Sequence, residues 1–137
     1  MIYLFLIIDI IVNKVAFFTS NLFLYYLIKK NRFIYYLLIG LTFDLITSGI
    51  INTIILISLF FLNKLLKNLN FYLVFIINFL ICNIVLYFYY YQAINLKLLL
   101  FSLLLNLIMV NISVNFNNLY IKLNGWKYGR KYWKYKK

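Results

Sequence analysis

The stretch Phe33-Ile-Tyr-Tyr-Leu-Leu-Ile-Gly40-Leu-Thr-Phe-Asp44-Leu-Ile-Thr-Ser-Gly49-Ile-Ile-Asn52-Thr-Ile-Ile-Leu-Ile-Ser-Leu-Phe-Phe-Leu-Asn63 runs for 31 residues with a single charge, Asp44. As one helix it would be about 46 Å long at 1.5 Å per residue, well beyond the roughly 30 Å hydrocarbon core of a bilayer. Thr47-Ser48-Gly49 is its only cluster of polar residues and glycine, so the chain breaks there. The stretch therefore reads as two helices, about 33–47 and 50–66. Both are short for a membrane crossing. Arg32 and Lys64 at their outer ends can snorkel to the headgroups and extend the usable length.

Working outward, charges divide the rest of the chain. Phe71 to Leu96 is 26 residues without a charge, and Leu98 to Ile121 is 24. A membrane helix needs roughly 20. Asn13-Lys14 splits the N-terminal region into two apolar pieces of about 13 residues, each roughly 20 Å as helix. A tight helical hairpin is the preferred reading and one bent span the alternative; a turn at membrane depth must in either case be covered by protein. The hairpin reading gives six segments: about 1–13, 15–28, 33–47, 50–66, 71–93 and 97–120. The expected fold is an all-α, polytopic integral membrane bundle over residues 1–121, followed by a basic, aromatic tail over 122–137. No internal repeat is visible, and the chain contains no proline.

Composition agrees with this reading. The 137 residues are 66% hydrophobic and 12% charged, against roughly 45–50% and 25% in a soluble domain. Too little polar surface exists to cover a globule in water, and disorder would require low hydrophobicity. Asn, Ile, Lys, Phe and Tyr are used heavily while Ala, Pro and His are scarce or absent, as an AT-rich genome would encode. A low-GC bacterium and an organelle are the natural sources. No positive n-region or small-residue cleavage site marks a signal peptide, so the first segment is expected to stay in the mature protein. Cys82 is the only cysteine, which excludes an intrachain disulfide and a zinc site of the CxxC kind.

The net charge is +12, from 14 Lys and Arg against Asp9 and Asp44. With six segments, Lys29, Lys30, Arg32, Lys64, Lys67 and the seven cations of the tail fall on one side, and only Lys14 and Lys97 on the other. The positive-inside rule then expects a cytoplasmic C-terminus.

Few residues offer chemistry. There is no His or Glu, no GxSxG, no glycine-rich phosphate loop and no HExxH, so no enzyme, cofactor or metal is expected. Asp44 within a span is a functional candidate by default. One reading pairs it with Lys14 at similar depth; the other has it cap or hydrogen-bond the Thr47-Ser48-Gly49 turn. Asp9 has no evident partner: it is protonated or reaches water near the N-terminus, in a structural role. Gly40, four residues before Asp44, allows close helix approach on the same face. Asn78, Asn83, Asn106 and Asn111 read as packing glue between helices. In the tail, Trp126, Lys127, Arg130, Lys131, Trp133 and Lys134 alternate rings with cations, the pattern of a membrane-interface anchor on anionic lipid. Nucleic acid and a small-molecule substrate are not expected partners.

The stretch Leu22 to Leu66 resembles the bacterial rod shape-determining MreD family. An apolar segment leads to the basic turn Lys29-Lys30-Asn31-Arg32. A helix carrying Gly40, Asp44 and Leu45 follows, then a small-residue turn at Gly49, Asn52 and a further apolar helix. The chain departs from the pattern in its short first helices, its lack of proline and its extended tail. The resemblance implies a non-enzymatic scaffold subunit of the cell-elongation machinery in the bacterial plasma membrane. It also implies an MreC-like partner and a fold similar to the six-helix substrate-binding subunits of vitamin transporters. Two rival expectations remain: a substrate-binding subunit of such a transporter, and an accessory subunit of an organellar respiratory complex.

Overall fold

The computed structural model describes the backbone of residues 2–15, 20–89 and 95–134, and the side chains of residues 4–13, 20–89 and 95–122. The described residues form six helices and no strand: α1 Ile2–Val15, α2 Phe23–Lys30, α3 Phe33–Thr47, α4 Ile51–Leu65, α5 Phe71–Tyr89 and α6 Leu96–Lys134.

Helices α3 and α4 and the start of α5 follow the expected 33–47, 50–66 and 71, the α3–α4 break falling at Thr47-Ser48-Gly49; the expected end of α5 at 93 lies outside the described residues. The N-terminal hairpin departs from its expected bounds. The sequence predicts a turn at Asn13-Lys14 and helix over 15–28, yet α1 runs on to Val15 and α2 begins only at Phe23. Asn13 is a brace, not a turn residue. Its carboxamide nitrogen donates to the Ser20 carbonyl (3.0 Å), and its oxygen accepts from the Ser20 amide (2.6 Å). One helical side chain thereby satisfies both backbone groups of a non-helical residue, as burial demands.

At the other end, α6 is continuous from Leu96 to Lys134. Its backbone crosses the expected start of the tail at Lys122 without a break. Gly125 and Gly129 each disfavour helix by about 1 kcal/mol, which does not end it. Trp126, Lys127, Arg130, Lys131, Trp133 and Lys134 lie on its last turns, and their side chains fall outside the described ones.

The helices assemble as two hairpins joined by α5. The α3–α4 pair makes the most extensive helix contact; α1 packs on α2, and α5 touches α2, α4 and α6. Tyr36, Phe75, Phe79, Leu24, Leu27 and Leu59 form the centre of the core. Aromatic edges interlock around it: Tyr36 and Phe33 both meet the Phe60 ring edge-on, with centroids 5.3 and 5.4 Å away. Pairs of this geometry add about 0.5–1.5 kcal/mol beyond burial.

Around this apolar core a large apolar surface faces outward, while several polar groups are buried. Asp9, Asn78, Ser102 and Asn106 are buried, while Leu45, Leu65, Phe88 and Phe116 are among many large apolar side chains facing outward. In water such an arrangement forfeits the main driving force of folding. By length and composition, α5 and the 96–122 part of α6 are long and apolar enough to cross a membrane. The 15-residue helices α3 and α4 are each about 22 Å long.

Candidate functional site

Two carboxylates organise the bundle, and they do so in the same way. Helix α4 begins behind Ile50, whose side chain cannot cap it. Its first amide groups would be left without partners, since the first turn of any helix has none of its own. Asp44, one turn before the end of α3, supplies them. Its Oδ1 accepts from the Asn52 amide and its Oδ2 from the Thr53 amide, both at 2.9 Å. The carboxylate thus sits at the positive end of the α4 dipole, where negative charge is favoured.

Helix α2 repeats the device. The residue before it, Leu22, offers no side-chain cap. Asp9, fully buried on α1, accepts from the Leu22 amide at 3.0 Å, from the Phe23 amide at 2.8 Å and from the Ser20 hydroxyl. In each hairpin the acid on the first helix caps the second.

The α3–α4 seam is tight because Gly40 makes it so. A Cβ at this position would lie 2.6 Å from Thr53 Cα and 3.0 Å from Thr53 Oγ1. The nearer contact is backbone, so no rotamer change relieves it. Past Asp44 the helix closes with Ser48 in the left-handed region (φ 55°), and the Ser48 and Gly49 amides both reach the Asp44 carbonyl. Asn52 spans the turn from the other side, its carboxamide donating to Thr47 Oγ1 at 3.1 Å.

Gly40, Asp44 and Asn52 are therefore brought together in one packing and capping unit. Gly49 sits in the adjoining turn, and it is Ser48, not Gly49, that takes the positive φ. Lys14 lies near the end of α1; its side chain is outside the described ones, so the proposed Asp44–Lys14 pair falls there too. The partners described for Asp44 are the Asn52 and Thr53 amides.

The backbone amides that Asp9 caps leave no mark on residue identity, whereas Asn106 and Asn78, read as interhelical glue, do join helices; Asn111 accepts from the Tyr72 hydroxyl, and Asn83 donates to the Phe79 carbonyl on its own helix. The Asn21 amide donates to Asn106 Oδ1 at 3.0 Å, tying the α1–α2 connection to α6. A second ladder crosses the core: Asn63 Nδ2 donates to the Tyr36 hydroxyl (2.9 Å), and Asn78 Nδ2 donates to Asn63 Oδ1 (2.7 Å). It links α3, α4 and α5. A usable signal existed in the apolar residues Leu22 and Ile50 at the helix starts, each with an acid upstream on the preceding helix.

A cavity of about 250 Å³ opens between these two capped turns and α5. Asn13, Asn21, Thr47 and Asn52 contribute polar groups to its wall, and Phe43 and Cys82 belong to its apolar part. The buried Asn21 carboxamide nitrogen has no hydrogen-bond partner among the described residues. No group of three or more His, Cys, Asp or Glu able to hold a metal occurs among the described residues.

Comparison with known proteins gives no matching family model, no matching curated protein and no matching solved structure.

Proposed function

We propose that the chain is a non-enzymatic scaffold subunit of the cell-elongation machinery, of the MreD type. It spans the bacterial plasma membrane as a six-helix bundle with its C-terminus in the cytoplasm and acts by helix-mediated binding to an MreC-like partner. The observation that carries this reading is the α3–α4 hairpin. Gly40, Asp44 and Asn52, three of the residues on which the MreD resemblance rests, join in one close-packed seam. Such a seam stiffens a helical hairpin and leaves its outer face free for a partner helix. The outward apolar surface supports a membrane setting. So does the gathering of Lys29, Lys30, Arg32, Lys64 and Lys67 at the connections of one end.

The cavity between the capped turns favours a second reading, a substrate-binding subunit of a small-molecule transporter. Depletion separates the two. Loss of an elongation scaffold rounds rod-shaped cells and disperses side-wall synthesis, whatever is added to the medium. Loss of an uptake subunit leaves shape intact and is cured by excess nutrient. A shape-neutral depletion would defeat the scaffold reading.

A further inference from the structure

At the end of the bundle opposite the two capped turns, a cleft of about 310 Å³ lies between α2, α5 and α6. Tyr25, Lys29, Phe71, Tyr72, Asn117 and Asn118 line it. We propose that this cleft holds the phosphodiester headgroup of an anionic phospholipid; the inference rests on the membrane setting above but not on the elongation role.

Three features select that occupant. The first is charge. Lys29 brings an ammonium to the cleft, and no carboxylate lines it. The chain's two acids are committed elsewhere, Asp9 to the start of α2 and Asp44 to the start of α4. Lys30 follows Lys29 directly and Arg32 comes two residues after Lys30, and Lys122 lies one helical turn beyond Asn118 on α6. An anion here meets uncompensated positive potential.

The second is the donor set. The Lys29 ammonium rests over the Tyr25 ring, 5.6 Å from its centroid, and 3.5 Å from the Tyr25 hydroxyl. Across the cleft stand Asn117 and Asn118, whose carboxamides can donate, and Tyr72, whose hydroxyl donates to Asn111 Oδ1 at 3.4 Å. A cation ringed by neutral donors suits phosphate oxygens, and basic pockets between membrane helices are known to take such headgroups.

The third is the apolar continuation. Phe71 and Val114 belong to the cleft wall, and Leu107, Leu104 and Leu100 continue the same side of α6 toward the bilayer interior, the last two exposed. A headgroup seated at Lys29 can lay its acyl chain along that face. A free phosphate gains nothing from it.

The test uses the full chain purified in neutral detergent, titrated with phosphatidylglycerol or phosphatidylcholine and read by native mass spectrometry. One phosphatidylglycerol should bind several-fold more tightly than phosphatidylcholine. Lys29→Gln should weaken it about fivefold, the effect of one interfacial cation. Lys29→Arg should retain it, and Lys97→Gln, at the other end of the bundle, should not change it. Should Lys29→Gln fail to fold, Asn117→Leu removes a donor from the opposite wall and should weaken binding in the same direction. Equal binding of the two lipids, or no response to these variants, would overturn the site alone. Full displacement of the lipid by inorganic phosphate would assign the cleft to the free anion and overturn the lipid. Recovery of the chain from the soluble fraction would overturn the membrane setting and the site together.

Discussion

Replacing Gly40 with alanine tests the α3–α4 seam at its closest point. The added Cβ would stand 2.6 Å from Thr53 Cα, where ordinary contact begins near 3.4 Å. The helices must part by about 1 Å, because a Cα cannot rotate away. Overpacking of this kind costs about 1–3 kcal/mol. Alanine's better helix propensity returns up to about 1 kcal/mol. The expected net loss is about 1–2 kcal/mol, a roughly 5- to 30-fold fall in the folded ratio. Gly49→Ala is the control: its Cβ would meet nothing nearer than Thr47 Oγ1 at 4.0 Å, and its φ is not positive. That variant should stay within about 0.5 kcal/mol of the parent. Adding Thr53→Ala to Gly40→Ala removes the contact to Oγ1 but not the one to Cα, so most of the loss should persist. Reversible unfolding in mixed micelles, followed by circular dichroism, measures all four proteins. Equal stability of Gly40→Ala and the parent would refute the close-packed seam, and full rescue by Thr53→Ala would refute its backbone origin.

Four further outcomes follow from the same geometry. Asp44→Ala should cost about 1–2 kcal/mol in the same assay through loss of the α4 cap, with Asp44→Asn retaining part of it. Ser48→Gly should raise stability by up to about 1 kcal/mol, because glycine holds a φ of 55° without strain; an unchanged midpoint would count against the left-handed turn. Asn106→Leu should cost about 1–3 kcal/mol by leaving the buried Asn21 amide without its acceptor, and amide exchange at Asn21 should accelerate. In a Cys82→Ser background, Asn68→Cys should react with an impermeant maleimide only in inverted vesicles and Asn95→Cys only in right-side-out ones; the opposite pattern would reverse the orientation.

The helices were more legible in the sequence than the residues that join them. Apolar runs bounded by Arg32, Lys64 and Lys67, with the break at Thr47-Ser48-Gly49, place α3, α4 and the start of α5 within a residue or two, because long apolar runs, basic turns and small polar clusters are strong, local signals. The α1–α2 connection was misplaced because Asn13 carries the composition of a turn residue. Its actual role depends on Ser20, seven positions away. Asp9 is legible as exceptional but not as a cap, and Asp44 reads as a cap of the Thr47-Ser48-Gly49 turn, whereas its carboxylate caps the start of α4 just beyond it. Their partners are backbone amides at Leu22, Phe23, Asn52 and Thr53, and a backbone amide leaves no mark on residue identity. Gly40 was read as a close-approach residue, whereas its contact with Thr53 emerged only once the hairpin was closed. Asn78 reads as interhelical glue, but its partners Asn63 and Tyr36 do not show, because polar side chains 15 and 27 positions apart meet only through packing.

The most direct test of the proposed scaffold role is affinity purification of the tagged chain from its native membranes in mild detergent, with the retained proteins identified by mass spectrometry. The account predicts an MreC-like protein together with side-wall peptidoglycan synthases, and their loss from Gly40→Ala preparations that still insert in the membrane. Recovery of paired transport ATPases or of respiratory subunits in their place would contradict it.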